Sequence, residues 1–417
     1  MKTTYSEILG PALFPIPQRP LREGECQTAG KKICRLCFAG TITYENEQRK
    51  KNEVVQTFWE SFETGRPIAP VVFSPSGRQY RTVSKRKAFL VNEQFYLGLI
   101  GIDTDTARGF PMSTRECMIE PAEHSAVYNL IETFLRKEEY AQLASEFNYV
   151  IVKGAEKEFT VILNMNHFSS GNRQEVNRLS KQLTKKIASV KSVFVFLDEQ
   201  RSKYYLAGKP KKEGGENKRP LQKLFGADKV FHKVGNKKFL YSPLSFSQTN
   251  HSILPAFIST AGKLLDLNKE DLLVDLYCGY GLFSLCLADD VKNVVGIELS
   301  KVSISDAIDN ASRNKVSNSR FTAADIAEES LLRLFPKTSS PVKVLLDPPR
   351  SGTAPGVIEY IAAKQPASVV HIFCNAEIMQ DELHRWHKNG YAVDQAVPFD
   401  MFPGTNEIEI MVSLKKS

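Results

Sequence analysis

An α/β, Rossmann-like C-terminal domain preceded by an α+β region is the fold class this sequence predicts, and three observations predict it. From about residue 245 to 417, short apolar runs alternate with helical patterns, the signature of a mostly parallel sheet. Leu272-Leu-Val-Asp-Leu276 runs straight into the glycine turn Tyr277-Cys-Gly-Tyr-Gly281 and the helical Leu282-Phe-Ser-Leu-Cys-Leu-Ala288. Upstream, the strand patterns sit beside one another without intervening helices at every step, as antiparallel pairs do.

Taken in order, residues 1–25 hold Pro11, Pro15, Pro17 and Pro20 and read as an extended arm. Residues 43–64 read as an amphipathic helix whose apolar positions gather late. Alternating runs near 80–102 and 148–165, including Tyr149-Val-Ile-Val and Phe159-Thr-Val-Ile-Leu, predict antiparallel strands. Helices are expected at 122–138 and 171–188. Gly208 to Pro220 is a charged Gly/Pro loop in which basic residues outnumber acids, read as a solvated loop or a phosphate-contacting face. The division expected is 1–244 and 245–417.

At 417 residues with 42% apolar content, the chain is long enough for two or three domains with proper cores. A net charge of +8 is compatible with a polyanionic partner without demanding one. No run of 18 apolar residues occurs and the N-terminus lacks a signal-peptide core, so a soluble, cytoplasmic protein with no membrane partner, acting as a monomer, is expected. Seven cysteines, an odd number, argue for metal or catalytic use over a disulfide framework.

Strand ends of open α/β sheets carry ligands and chemistry. Gly279 and Gly281 let backbone approach a ligand closely, but the third glycine of a dinucleotide fingerprint is missing. Val294-Val-Gly-Ile ends in Glu298, suited to both ribose hydroxyls, and Asp325 ends the next strand, suited to an adenine amino group. Glycine loop, ribose acid and adenine acid in this order describe an S-adenosylmethionine pocket better than a nicotinamide one. Asp347-Pro-Pro-Arg-Ser-Gly follows another apolar strand, and its two prolines stiffen the corner and hold the carboxylate over the cavity. Cys374 closes the strand Val369-Val-His-Ile-Phe373 and precedes polar Asn375, which places its thiol at a rim. Glu407 and Glu409, two apart, are both candidates for a base of raised pKa. A thiol and a carboxylate near a methyl donor fit methylation of an unreactive ring carbon.

These motifs, with Phe246-Ser-Gln248-Thr-Asn250 and Asp400-x-Phe-Pro-x-Thr-x-x-x-Glu409, resemble the RNA (uracil-5-)-methyltransferase family across residues 245–417. The resemblance implies a class I methyltransferase domain that forms 5-methyluridine in RNA. It implies Cys374 as the nucleophile toward uracil C6, Glu409 as the base for the C5 proton, Asp347 as the residue holding uracil, and Gln248, Tyr277 and Glu298 as lining of the S-adenosyl-L-methionine pocket. Leu282, Phe373, Gly404 and Glu407 depart from residues common in that family.

Cys26, Cys34 and Cys37, with Cys117 far downstream, leave zinc and an iron–sulfur cluster equally open by spacing. Family members that modify ribosomal RNA resemble this arrangement, which implies a [4Fe–4S] cluster on these cysteines in an iron–sulfur/RNA-binding first domain, and 23S rRNA as the substrate in preference to the T-loop uridine of tRNA. A catalytically silent RNA-binding protein is the rival of another class. Arg78, Arg81, Lys85, Arg86 and Lys87 are expected to contact the RNA backbone, and Tyr80 to stack on a base or pack as a strand tyrosine.

Overall fold

A computed structural model describes residues 37–417 apart from positions 41, 63, 103–108, 114–116, 156–157, 202–205 and 207–220. The expected N-terminal arm, Cys26, Cys34 and the whole of the charged 208–220 loop therefore lie outside the described residues.

Helix α1 (Tyr44–Glu60) starts where the Thr43 hydroxyl accepts from the Asn46 N–H, an N-cap bond, and buries its late apolar positions Val54, Val55, Phe58 and Trp59. The first sheet follows. Strands β1 (Val83–Val91) and β2 (Gln94–Ile102) pair antiparallel through a two-residue turn, with Asn92 and Glu93 both at positive φ as such hairpins require. After β3 (Gly109–Ser113) come helices α2 (Ala122–Leu135) and α3 (Ala141–Ser145), then β4 (Phe147–Ala155) and β5 (Glu158–Met165). Helix α4 (Arg173–Lys186) crosses over to β6 (Val190–Leu197), which is parallel to β5, and β7 (Leu221–Gly226) closes the order β3-β2-β1-β4-β5-β6-β7. One sheet face is covered by α2 and α4, where Val127, Ile131, Leu179 and Leu183 meet Val150, Val152, Val161 and Val193.

The hairpin β8 (Val230–Val234) and β9 (Lys237–Tyr241) leads to α5 (Leu254–Leu265) and the second sheet. That sheet is built from β10 (Leu272–Leu276), α6 (Leu282–Leu287), β11 (Asn293–Glu298), α7 (Lys301–Arg313), β12 (Ser319–Ala323), α8 (Glu328–Leu334), β13 (Val342–Leu346), α9 (Val357–Ala363), β14 (Ser368–Phe373), α10 (Met379–Lys388), β15 (Tyr391–Phe399) and β16 (Glu409–Lys416). Its order is β12-β11-β10-β13-β14-β16-β15, with β10 to β14 parallel and β16 antiparallel between β14 and β15. The alternation of strand and helix produces the doubly wound α/β fold expected from residue 245 onward.

Packing runs across position 244. Phe239 and Tyr241 of the hairpin share a core with Phe257, Phe283 and Phe399 of the second half. From the other end of the chain, Phe58 and Trp59 of α1 share a core with Val344, Phe373 and Trp386. No helix among the described residues is long and apolar enough to cross a membrane.

Candidate active site

Strand order reverses between β10 and β13, and such a reversal opens a crevice at the strands' C-terminal edge. A cavity of about 1440 Å³ lies there, lined by Gln248, Tyr277, Gly279, Glu298, Asp325, Asp347, Cys374 and Glu409 together with Arg350 and Glu407. Gly281 is outside this lining. At φ +86°, a conformation that favours glycine, it precedes α6, and a Cβ there would sit a tight 3.3 Å from the Ala307 methyl and from Leu285.

At the β10–β11 end, Glu298 accepts from the N–H groups of Ser300 at 2.8 Å and Gly279 at 3.4 Å, which fixes its carboxylate at the strand tip. Gly279 takes φ +54°, and a Cβ built on it would meet nothing within 4 Å, so the turn leaves open space for a ligand. Tyr277 also sits at positive φ (67°), a conformation that costs a non-glycine residue about 1 kcal/mol or more and clusters at functional sites. Carboxylates at two adjacent strand tips beside this turn fit an adenosine ligand such as S-adenosylmethionine. Leu282, by contrast, turns away into the core beneath α6.

The reacting end is an acid cluster. The antiparallel register of β14 and β16 runs from Val369↔Leu414 to Phe373↔Ile410, and its next step sets Cys374 across from Glu409. Glu409 is 4% exposed, and its buried Oε2 has no hydrogen-bond partner. A buried carboxylate oxygen left unpaired is costly in a structure with no other use for it. Burial, then the neighbouring Asp347, push the Glu409 carboxyl well above its ordinary range. Burial likewise raises Asp347, to about 7, with the Asp275 charge adding to it, and the Gln248 amide donates to Asp347 at 3.5 Å. The Cys374 thiol lies 3.7 Å from the Pro348 carbonyl and is pushed up to about 12, by burial first and then by Glu409 and Asp347. Arg350 opposes this trend on both Cys374 and Glu409. Arg350 sits inside the Asp-Pro-Pro-Arg motif.

Glu407 differs from Glu409. It precedes β16, its side chain is 43% exposed, and it forms an ion pair with Arg350. A carboxylate neutralised by a guanidinium is the poorer base. Phe373 packs away from the cavity, stacked on His371 at 4.0 Å between ring centres.

Two of the five cations expected on RNA are structural instead. Arg86 is 1% exposed and forks onto the Glu120 carboxylate at 3.0 and 2.6 Å. Arg78 donates to Glu47 and to the carbonyls of Ala39, Gly77 and Ile42. Tyr80 is buried, packed with Ala39 and Ile119, which settles it as a packing tyrosine. Cys37 and Cys117 pack against that same small group and line the cavity wall. Among the described residues, no group of three or more His, Cys, Asp or Glu stands together in a way that would hold a metal ion.

Residues 222–417 match the model of the tRNA (Uracil-5-)-methyltransferase family. That segment is just under half of the chain, and over it the chain is similar to that family. Gln248, Tyr277, Glu298, Asp347, Cys374 and Glu409 of the cavity all lie within the matched segment. Over 405 residues the chain is 26% identical to a protein of Clostridium tetani described as an uncharacterized RNA methyltransferase, covering 94% of this chain and 84% of that one. Over 189 residues it is 35% identical to the 23S rRNA (uracil(1939)-C(5))-methyltransferase RlmD of Aliivibrio fischeri, covering 45% of this chain and 43% of that one. Among solved structures, the tRNA (uracil-54, C5)-methyltransferase of Pyrococcus abyssi, in complex with S-adenosyl-L-homocysteine, aligns with a TM-score of 0.64 at 18% identity, over 90% of this chain and 84% of that one. At that identity the likeness shows the shared fold.

Proposed function

We propose that this protein methylates C5 of a uridine in 23S rRNA through a covalent adduct between Cys374 and uracil C6. The observation that carries the reading is Cys374 facing the buried, unpaired carboxylate of Glu409 in the cavity that reaches Glu298.

In this reading Glu298 holds the ribose of the cofactor, Asp325 its adenine, and Gln248 and Tyr277 line the passage toward Asp347. S-adenosylmethionine supplies an electrophilic methyl group there. Asp347 holds the uracil, and its raised pKa allows it to donate a hydrogen bond as a neutral acid. Cys374 gives up its proton to water in the open cavity as its sulfur bonds to C6, and the C5=C6 electron pair shifts toward O4. C5 then takes the methyl group. Glu409 removes the C5 proton, the C5=C6 bond re-forms, and the C6–S bond breaks to release the thiolate. A base not tied into an ion pair serves the last step better, which favours Glu409 over Glu407, the carboxylate that Arg350 pairs with.

Cys37 and Cys117, brought onto one wall from distant parts of the chain, fit the first two ligands of a [4Fe–4S] cluster, with Cys26 and Cys34 as the other two. Such a cluster would brace the wall without entering the methyl-transfer steps. Protein purified without oxygen should carry iron and sulfide and absorb broadly near ~400 nm from thiolate-to-iron charge transfer; a colourless, zinc-loaded protein contradicts this.

The RlmD relative favours ribosomal RNA over transfer RNA. Nucleoside mass spectrometry after separate incubations with unmodified 23S rRNA and tRNA tests the substrate. Product on 23S rRNA supports the proposal; product on tRNA alone retains the chemistry and refutes the target.

A further inference from the structure

Strand β14, whose end carries Cys374, lies between β13 and β16 in the second sheet. Arg350 follows β13 and Glu407 precedes β16, so the ion pair they form spans the strand tip that carries the thiol. Both residues line the cavity beside Cys374. The backbone on each side of the span is tied down. The Asn375 side-chain amide donates to the Arg350 carbonyl at 3.0 Å, and the Gly352 N–H to the Pro349 carbonyl at 2.8 Å. The Thr353 N–H and hydroxyl donate to Glu382 at 2.7 and 2.6 Å. Across the span, the Glu407 N–H donates to the Thr405 hydroxyl at 3.3 Å, and that hydroxyl to the Phe402 carbonyl at 2.8 Å. The adjustable parts are the two side chains, 65% and 43% exposed.

An ion pair this exposed adds little to stability, so folding gives little reason for it. Its place beside the thiol gives a better one. Glu409 and Asp347 act on Cys374 as acids, and Arg350 acts on it as a cation. A guanidinium forks onto phosphate as readily as onto carboxylate. In the usual anti conformation of a nucleotide, C6 is the ring carbon over the 5′ side of the sugar. A sulfur bonded to C6 therefore has that nucleotide's own phosphate close by. The guanidinium nearest the thiol is the cation placed to meet it, and Glu407 holds the position that phosphate would take.

We propose that Arg350 binds the backbone phosphate of the target nucleotide, and that Glu407 occupies Arg350 in its stead until RNA arrives. This anion exchange at the cavity mouth rests on the RNA-methylation reading above. Glu407 keeps the guanidinium compensated in the free protein. RNA gains the guanidinium only by bringing a phosphate to the position that also sets C6 against the thiol. A base left in its stack keeps its phosphate outside, so the exchange favours an extruded nucleotide. The contact gives position without reading sequence, as phosphate contacts do.

The test measures filter-binding affinity of the full chain for whichever of unmodified 23S rRNA and tRNA the wild type methylates. Wild type, Arg350→Gln, Glu407→Gln and the double variant are compared. Arg350→Gln should weaken binding roughly tenfold or more, as loss of a charge-assisted contact does. Glu407→Gln should tighten it roughly two- to fivefold, the worth of an exposed ion pair. That gain should be larger with Arg350 present than in the double variant measured against Arg350→Gln. No gain, or equal gains in the two backgrounds, would reduce Glu407 to plain charge repulsion and overturn the exchange. In the Glu407→Gln background, removing Arg350 should lower the slope of log affinity against log salt by about 0.7, as loss of one phosphate contact does. An unchanged slope puts Arg350 on the base and overturns the phosphate site. All four proteins should bind S-adenosylhomocysteine equally, which separates lost contacts from misfolding. These failures leave the methylation reading standing, whereas a wild type that methylates neither RNA overturns that reading and the exchange with it.

Discussion

The Lys51 ammonium lies 2.7 Å from the Asp400 carboxylate and 3.0 Å from that of Glu47, with all three side chains fully buried. Lys51 stands on α1, near the start of the described chain, and Asp400 opens the loop that runs to Glu409. The same loop is held from the N-terminal side by the Phe38 N–H, which donates to the Gly404 carbonyl at 2.7 Å. Removing the central cation leaves two carboxylates buried together. Lys51→Met should therefore destabilise the fold by about 3–5 kcal/mol, measured by denaturant unfolding. A loss under about 1 kcal/mol would show that the network is hydrated and that α1 docks by its apolar face alone.

Gly404 has φ +82°, and a Cβ there would lie 2.8 Å from the Ala39 methyl and 3.2 Å from Ile119. The segments bearing Cys37 and Cys117 thus close on this glycine. Gly404→Ala should cost roughly 1–3 kcal/mol through backbone strain and displacement of those segments. Thermal unfolding checks it, and an unchanged melting temperature would mean that the segments yield freely.

Glu409→Gln should stop turnover at the last step and leave RNA covalently attached to the protein, visible as a slow band on a denaturing gel. Glu407→Gln should turn over within about tenfold of wild type, since it removes only a partly exposed ion pair with Arg350. The reverse pattern would exchange the roles of the two glutamates.

Asp347 predicts a pH dependence. Its folded-state pKa is raised to about 7 from an unfolded value near ~4, so the native state binds the extra proton between those values. Its contribution is present below pH ~4 and is lost as pH rises through about 7. Asp347→Asn should remove this term: the variant should gain on wild type by a few kcal/mol, order of magnitude, between pH ~4 and ~8. Parallel stability–pH curves for the two proteins would show that Asp347 ionises freely in the fold.

Much of this was legible in the sequence, and for physical reasons. Helices α1, α2 and α4 follow their 3.6-residue apolar spacing, and the C-terminal half announces its sheet by runs too apolar to face water. Cys374, Asp347 and Glu298 were readable because strand tips are where such a sheet exposes chemistry. What escaped was decided by partners distant in sequence. Arg86 has the pattern of an exposed strand cation until Glu120 is folded against it, and Arg78 until Glu47 is. Gly281 reads as a ligand glycine, and its close approach to Ala307 is met only in the folded state. The hairpin at 230–241 carries no sign that it completes the core of the C-terminal half, because Phe239 and Tyr241 find Phe257 only through tertiary packing.

The central claim is a bond between the Cys374 sulfur and uracil C6. The direct measurement is peptide-resolved mass spectrometry of the protein after incubation with S-adenosylmethionine and RNA containing 5-fluorouridine, whose C5 fluorine Glu409 cannot abstract. The account predicts a nucleotide adduct on the peptide bearing Cys374, absent in Cys374→Ala. No adduct under conditions that methylate ordinary RNA, or an adduct on another cysteine, would contradict it.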